Sequence, residues 1–207
     1  MVKSLQEPIS VTEAPAPSSR EEAIDYFKNL FGAQKPLVVE LGCGNGHFIV
    51  EYAKKHPDDN FIGVEKLAGR AGKCLRKIKN QSLSNVVVFK GDAKIFLWEY
   101  LYDEMVSEFI VLFPDPWPKK RHHKHRLLKK ETIQMLADRL IKGGTISVST
   151  DDLDFYNWLI EEFEKAKTLE PVIVNVKGYP SEYPPTLFLQ RHIKAGKDIY
   201  FLRFRKI

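Results

Sequence analysis

Asp115 stands between two prolines in the most distinctive stretch of the chain, residues 113–126, which spells F-P-D-P-W-P-K-K-R-H-H-K-H-R. An apolar run at residues 109–113 predicts a buried β-strand leading into it. Prolines at alternate positions remove backbone donors and fix φ angles, so Asp115 and Trp117 are expected on a stiff loop. Open α/β sheets bind ligands at the carboxyl ends of strands. An acid and an indole there favour a pocket for a planar polar group, although Trp117 could equally pack beneath the loop.

A cationic segment, residues 119–130, continues from this loop with seven Lys or Arg, three His and no acid. A run of charge is often only a solvated face, but this one adjoins a proposed reaction site. We therefore interpret it as a phosphate-binding surface for a nucleic acid. Its candidate RNA-binding residues are Lys120, Arg121, His122, His123, Lys124 and Arg126. Metal binding by the histidines is the weaker interpretation, because the interleaved cations repel a metal ion, and no metal is predicted.

A glycine-rich motif, residues 40–46 (E-L-G-C-G-N-G), follows the first apolar strand and opens a helix. Its glycines, Gly42, Gly44 and Gly46, permit a tight turn and let a ligand approach the backbone. The third glycine falls one residue early for the dinucleotide fingerprint. Glu40 would also repel a pyrophosphate. The motif therefore favours a nucleoside with a positively charged substituent over NAD.

Two more acids stand at predicted strand ends. Glu65 ends the second strand, where it can accept hydrogen bonds from ribose hydroxyls, and Asp92 follows the third, where an adenine amino group can be bound. Each of them alone could be no more than a polar strand end. Together with the glycine motif they predict an adenosine-shaped crevice.

The elements that must position these residues alternate along the chain. Apolar runs predict strands at residues 37–41, 61–65, 86–90, 109–113, 145–150, 172–176 and 199–204. Amphipathic patterns predict helices at residues 19–31, 46–56, 71–79, 94–102, 127–141 and 155–165. This alternation predicts a parallel sheet with helices on both faces, closed by an antiparallel pair. Residues 177–197 show no clear periodicity, and the third helix is basic, which is typical of a solvated face.

Composition sets the outer limits. We expect residues 1–17 to form a flexible N-terminal tail and residues 18–207 a single domain. The net charge of +5 hints at a polyanionic partner. No apolar run approaches the ~20 residues of a transmembrane helix, and no secretory signal is visible. Two cysteines outside a C-x-x-C pair fit a reducing cytoplasm. A monomer or weak homodimer without membrane contact is expected.

The glycine motif, Glu65 and Asp92 resemble the class I S-adenosylmethionine-dependent methyltransferases over residues 37–150. The resemblance implies S-adenosyl-L-methionine as cofactor. It also implies a Rossmann-like α/β fold with a seven-stranded, mostly parallel sheet, helices on both faces and an antiparallel C-terminal hairpin. This fold agrees with the order of the predicted elements.

Residues 113–126, together with residues 61–65 and 149–151, closely resemble the tRNA (guanine-N7-)-methyltransferases. These bacterial enzymes methylate a guanosine in the tRNA variable loop, so the resemblance implies tRNA as partner. It assigns Glu40, Glu65, Asp92 and Asp115 to the cofactor, makes Asp115 the catalytic acid, and places Lys119, Asp151 and Thr186 on substrate-binding positions.

The family pattern after that threonine is Lys-Phe-Glu-x-Arg. Here Leu187 and Leu189 replace the lysine and the glutamate, whereas Phe188 and the substrate-binding candidate Arg191 are retained. Guanine recognition is therefore expected to differ in detail, with Glu182 as a candidate substitute carboxylate.

The chemistry expected of Asp115 follows from the substrate. Guanine N7 carries a lone pair and no proton, so in-line attack on a sulfonium methyl needs no general base. The useful contributions are alignment and a fixed negative charge near a ring that becomes cationic. Two alternatives stay open: a methyltransferase acting on an exocyclic amine or amide, whose loop reads Asn/Asp-Pro-Pro-aromatic, and a non-catalytic RNA-binding protein of the same fold.

Overall fold

The computed structural model describes residues 7–207. The strands are β1 (Ile9–Ser10), β2 (Leu37–Leu41), β3 (Asn60–Glu65), β4 (Val86–Lys90), β5 (Val106–Leu112), β6 (Leu140–Thr150), β7 (Leu169–Lys177) and β8 (Tyr200–Lys206). The helices are α1 (Arg20–Phe31), α2 (His47–Lys55), α3 (Ala68–Asn80), α4 (Ala93–Glu99), α5 (Lys130–Arg139), α6 (Leu153–Glu164) and α7 (Leu187–Lys194), with a 3₁₀ helix at Lys120–His125.

The strand order in the sheet is β1-β4-β3-β2-β5-β6-β8-β7. Neighbouring strands from β1 to β6 pair in parallel, and β8 lies antiparallel between β6 and β7. The Rossmann-like, mostly parallel sheet with an antiparallel C-terminal hairpin is confirmed. It has one strand more than the seven that were predicted.

Helices cover both faces of the sheet, which is why β3 and β4 are apolar almost throughout. Successive side chains point to opposite faces. Ile62 and Val87 belong to the core that α1, α4, α5 and α6 cover, whereas Phe61 and Val88 belong to the core under α2 and α3. From β2 the chain builds towards β4 on one side and later towards β6 on the other. The topological switch point, where such sheets bind ligands, therefore lies between β2 and β5.

The additional strand comes from the segment that was expected to be a loose tail. Ile9–Ser10 pairs with the end of β4, and Val11 is buried. The hydroxyl of Tyr100 donates a hydrogen bond of 2.8 Å to the carbonyl of Ala14. Residues 7–17 thus lie against the body of the protein, and a two-residue strand is too short to show a period of two. The rest of the predicted tail, residues 1–6, lies outside the described residues.

Three other elements differ from expectation. Helix α7 lies within residues 177–197, where no regular structure was predicted, and the cationic segment contains the 3₁₀ helix. Strand β6 begins at Leu140, which pairs with Val106 before a bulge, so α5 ends sooner than the predicted helix. The apolar residues at 140 and 141 fit either element, and long-range strand pairing decides between them.

Candidate functional site

Two adjoining cavities open at the carboxyl edge of the sheet, above the ends of β2 and β5. Their volumes are about 470 Å³ and about 600 Å³. Both are lined by Gly42, Arg70, Leu112, Phe113 and Asp115. Among the other predicted site residues, Glu40, Gly44, Thr186 and Arg191 line the smaller cavity, and Glu65, Asp92 and Lys124 line the larger. Residues from distant parts of the chain thus meet on either side of Asp115.

The glycine motif forms the turn between β2 and α2. Gly42, Gly44 and Gly46 have φ angles of 82°, 55° and 74°, in the left-handed region that favours glycine. A Cβ built on Gly42 or Gly44 would meet no atom within 4 Å, so the backbone there is open to a ligand. A Cβ on Gly46 would lie 2.4 Å from the Cys74 Sγ atom. Gly46 therefore permits close packing of α2 on α3, and it lines neither cavity.

Glu65 and Asp92 both have structural partners. The Glu65 carboxylate accepts hydrogen bonds from the N–H groups of Gly44 and Leu67, at 2.9 and 2.8 Å. Asp92 is the N-cap of α4, where its side chain accepts a bond from the N–H of Lys94. Each carboxylate oxygen has a second lone pair, so both acids can still accept hydrogen bonds from a ligand in the larger cavity.

Glu40 is the most buried acid of the site, with 4% of its surface exposed. Burial raises its pKa to about 8, and the charge of Glu65 adds to this effect, although a hydrogen bond from the Ile49 backbone opposes it. Within the described part of the chain, its Oε2 atom has no hydrogen-bond partner. A buried acceptor without a donor is costly, so a cationic or N–H-bearing ligand in the smaller cavity would stabilise it.

The loop that carries Asp115 is held in an unusual backbone conformation. Phe113 and Trp117 have φ angles of 51° and 47°, which are outliers for bulky residues and are typical of functional sites. The N–H of Phe113 donates a bond of 2.8 Å to the carbonyl of Ser149. The side chain of Asp115 is exposed and has no hydrogen bond or ion pair with another side chain or backbone group that the structure describes. Its carboxylate is therefore available to a ligand.

Arg126, one of the predicted RNA-binding residues, is buried instead. Its Nε donates a bond of 2.8 Å to the carbonyl of Pro116. The guanidinium lies over the rings of Phe155 and Trp158, at 5.0 and 4.4 Å from their centroids. Arg126 thus supports the Asp115 loop from beneath, and its burial favours a structural role over the predicted RNA contact.

Arg126→Ala should lower the free energy of unfolding by about 2–4 kcal/mol, because the Pro116 carbonyl loses its donor and two rings lose their cation. Urea denaturation measures the change. Arg121→Ala, which removes an exposed arginine from the same segment, should shift stability by no more than about 0.5 kcal/mol. Equal stabilities of the two variants, with weaker tRNA binding by Arg126→Ala, would return Arg126 to the RNA-binding set.

The rest of the cationic segment is more accessible. The side chains of Lys119, Lys120, Arg121 and Lys124 are exposed, and His122 and His123 are half-buried. Trp117 packs against the rings of His122 and His125, with centroids 5.8 and 5.2 Å apart. The indole is therefore held by the 3₁₀ helix while it also lines the larger cavity. Lys119 lines neither cavity, whereas Lys124 and His125 of the same segment line the larger one.

The connection between β7 and β8 forms the other wall of the smaller cavity. Thr186 caps α7 by accepting a bond of 3.0 Å from the N–H of Leu189, and Arg191 faces the cavity from the same helix. Leu189 is buried, which explains an apolar residue at this position, whereas Leu187 lines the cavity. Leu187 and Leu189, which replace the lysine and the glutamate of the family pattern, thus have different surroundings.

Asp151 lies outside both cavity linings. Its carboxylate is 2.7 Å from the Lys197 Nζ and 3.0 Å from the His192 Nδ1. Burial acts to raise the pKa of Asp151, but the hydrogen bond from Lys197, the charge of Lys197 and the neighbouring His192 ring outweigh it and lower the pKa. Asp151 therefore fastens the end of α7 to the end of β6 and supports this wall of the smaller cavity from outside.

A buried polar network was missed from the sequence. The hydroxyl of Tyr183 donates a bond of 2.5 Å to Glu108 in β5, and Ser147 donates to the same carboxylate. Arg203 in β8 donates to the Ser147 hydroxyl. Burial raises the pKa of the Glu108 carboxyl. The available signal was Glu108, an acid directly before the apolar run at residues 109–113.

Arg70 was also missed, although it lines both cavities. It lies five residues after Glu65, in the basic helix α3, whose charged face was interpreted from the sequence as solvated.

Within residues 7–207, no group of three or more His, Cys, Asp or Glu side chains is placed to hold a metal ion. No helix in that range is long and apolar enough to cross a membrane.

Comparison with known proteins identifies the family. Residues 34–202 match the model of a family described as putative methyltransferase. A tRNA (guanine-N(7)-)-methyltransferase of Nitrosomonas europaea is 34% identical over 186 residues, 88% of this chain and 83% of the relative. A protein of the same name from Leifsonia xyli subsp. xyli is 34% identical over 184 residues, 86% of this chain and 79% of the relative.

A solved structure supports the fold. The 16S rRNA methyltransferase KamB covers 98% of this chain and 100% of its own with a TM-score of 0.66, at 16% identity. At that identity the likeness concerns the fold alone. The identity to the sequence relatives, which extends over most of both chains, shows that this chain belongs to the tRNA (guanine-N(7)-)-methyltransferase family.

Proposed function

We propose that this protein transfers a methyl group from S-adenosylmethionine to N7 of a guanosine in tRNA. The observation that carries the proposal is the position of Asp115, whose unpaired carboxylate lies in the wall shared by the two cavities. The sequence relatives are tRNA (guanine-N(7)-)-methyltransferases by name. The resemblance of residues 113–126 adds the variable loop as the target region.

The residues present fit S-adenosylmethionine. Gly42 and Gly44 leave the backbone open, Glu65 and Asp92 offer carboxylate acceptors, and the unpartnered Oε2 of Glu40 is suited to a cationic group. When bound, the cofactor supplies an electrophilic methyl group on a sulfonium. The protein residues around it supply recognition and a negative electrostatic environment, which suits a donor that carries positive charge.

Asp115 is proposed to orient the guanine and to stabilise it as it becomes cationic. Its carboxylate can accept hydrogen bonds from the guanine N1–H or amino group. It need not remove a proton, because N7 carries none. The loop strain at Phe113 and Trp117 and the support from Arg126 hold the carboxylate in one place, which reduces reorganisation during the reaction.

The wall opposite Asp115 is proposed to bind the base. Phe188 is 44% exposed, stacks on His192 at 4.0 Å between centroids and contacts the ring of Phe113. Such an aromatic surface can stack an unpaired base. Arg191 adds a cation at the same wall, and Lys120, Arg121 and Lys124 are proposed to bind backbone phosphates.

The test is methyl transfer to an unmodified tRNA transcript, followed by nucleoside digestion and mass spectrometry. We expect 7-methylguanosine, mapped to the variable loop. A transcript built with 7-deazaguanosine is the matched control, because it lacks the N7 atom and should accept no methyl group. Methylation of an exocyclic amine would favour the amine-directed alternative. Binding of tRNA without transfer would favour the non-catalytic one.

The cellular setting is proposed from residue chemistry. Cys43 and Cys74 are free and buried, which suits a reducing compartment such as the cytoplasm. A monomer or weak homodimer is expected, and sedimentation equilibrium measures it.

A further inference from the structure

We infer that α3 carries a second phosphate-binding row, formed by Arg70, Lys73 and Arg76, which binds tRNA on the other side of the active site from the cationic segment. This inference rests on the proposed function, since it assumes an RNA substrate. It assigns a partner to a helix face that the reaction itself does not use.

The charge on α3 is of one sign. Residues 66–79 contain six Lys or Arg and no acid. The helix buries Ala71, Cys74, Leu75 and Ile78, and it exposes Arg70, Lys73 and Arg76 at intervals of three residues. Residues three apart are neighbours on a helix surface, so the three cations form one row. A helix that is merely solvated usually mixes charges of both signs, as α1 does with its Glu21, Glu22 and Lys28.

The row has no partners of its own. The side chains of Arg70, Lys73 and Arg76 make no ion pair or hydrogen bond with another described residue. Two neighbouring lysines do have partners: Lys66 pairs with Asp92 at 3.3 Å, and Lys77 bonds to His47. Adjacent unpaired cations repel each other, so a polyanion bound along the row would stabilise it.

The row begins at the active site. Arg70 lines both cavities, and the rise of the helix places Arg76 about 9 Å further along its axis. There, Arg76 lines a groove of about 330 Å³ together with Lys79 and Lys90. The cationic segment reaches the same larger cavity from the opposite flank through Lys124. Because α3 follows β3 and the cationic segment follows β5, the two surfaces lie on either side of β2. A tRNA bound across the cavity would contact both.

The test is a charge reversal that leaves the cavity lining intact, Lys73→Glu with Arg76→Glu. The matched control is Lys142→Glu with Lys167→Glu, which changes the same charge on exposed residues at the amino edge of the sheet. Filter binding of tRNA is measured between 50 and 200 mM salt, with donor binding and thermal unfolding in parallel. These salt limits are the range over which phosphate contacts change affinity strongly.

We expect the α3 variant to bind tRNA at least about tenfold more weakly than the control, with a salt slope shallower by about one to two. Donor affinity and unfolding temperature should match those of the control. Equal tRNA affinity and salt slope in the two variants would overturn the inference and leave the proposed function standing. If the wild type binds tRNA but transfers no methyl group, the proposed function fails, and the tRNA affinities of the two variants still test the α3 row. A wild type that does not bind tRNA would overturn both.

Discussion

Asp115→Asn should lower kcat for tRNA methylation by about 100-fold or more, the magnitude typical of losing one preorganised electrostatic contact. The substitution keeps the shape of the side chain and removes its charge. The asparagine cannot stabilise a ring that gains positive charge, and its amide nitrogen would face the guanine donors. The affinity for S-adenosylmethionine should change by less than about tenfold, because Glu40, Glu65 and Asp92 remain.

Single-turnover kinetics with saturating enzyme measure the methyl-transfer step without product release. Asp58→Asn is the matched control, since Asp58 is an exposed acid outside both cavities. It should react at the wild-type rate. A single-turnover rate for Asp115→Asn within threefold of that control would show that Asp115 takes no part in the methyl transfer. The role proposed for this carboxylate would then be wrong.

The affinity for S-adenosylmethionine should rise with pH because of Glu40. Its pKa of about 8 in the free protein means that the carboxyl is mostly protonated at neutral pH. A cationic ligand binds the ionised form, so binding must first remove this proton. Affinity should therefore increase by nearly tenfold for each pH unit well below 8, or about 50-fold between pH 6 and pH 8, and level off above about pH 9. Affinity rises with pH, and does not fall, because the carboxyl of Glu40 is mostly protonated at every pH below its raised pKa.

Glu40→Gln isolates this titration. The donor's own amino group titrates near pH 8 as well, but it does so for both proteins. The ratio of wild-type to variant affinity should rise by about 50- to 100-fold between pH 6 and pH 8.5. Calorimetry in buffers of different ionisation enthalpy should detect proton release on binding to the wild type only. A ratio that is constant from pH 6 to pH 8.5 would show that Glu40 is not the titrating group.

The part of the fold that follows from local pattern was predictable from the sequence. The parallel strands β2, β3 and β4 are short apolar runs, and their limits differ from the predicted ones by no more than one residue. The glycine motif was placed correctly because left-handed φ angles and glycines coincide at Gly42 and Gly44. These features depend on the chain within a few residues of each position.

The remainder depends on contacts between distant segments. Arg126 looks like its cationic neighbours in the sequence, and its burial depends on contacts that include the distant rings of Phe155 and Trp158. Helix α7 has little periodicity because Leu189 is its only residue that is fully buried. The hydrogen bond from Lys197 to Asp151 joins residues far apart in the sequence, so no local pattern indicated it.

The two halves of the site are fastened to the scaffold by different means. The proposed cofactor-binding half is built from turns that follow β2, β3 and β4, so it is inseparable from the sheet. The proposed base-binding half lies largely in the connection between β7 and β8, which is secured by the bonds from Tyr183 to Glu108 and from Lys197 to Asp151. Evolution can therefore exchange that connection while those anchor points persist, and so recruit one methyl-donor platform to new acceptors without rebuilding it.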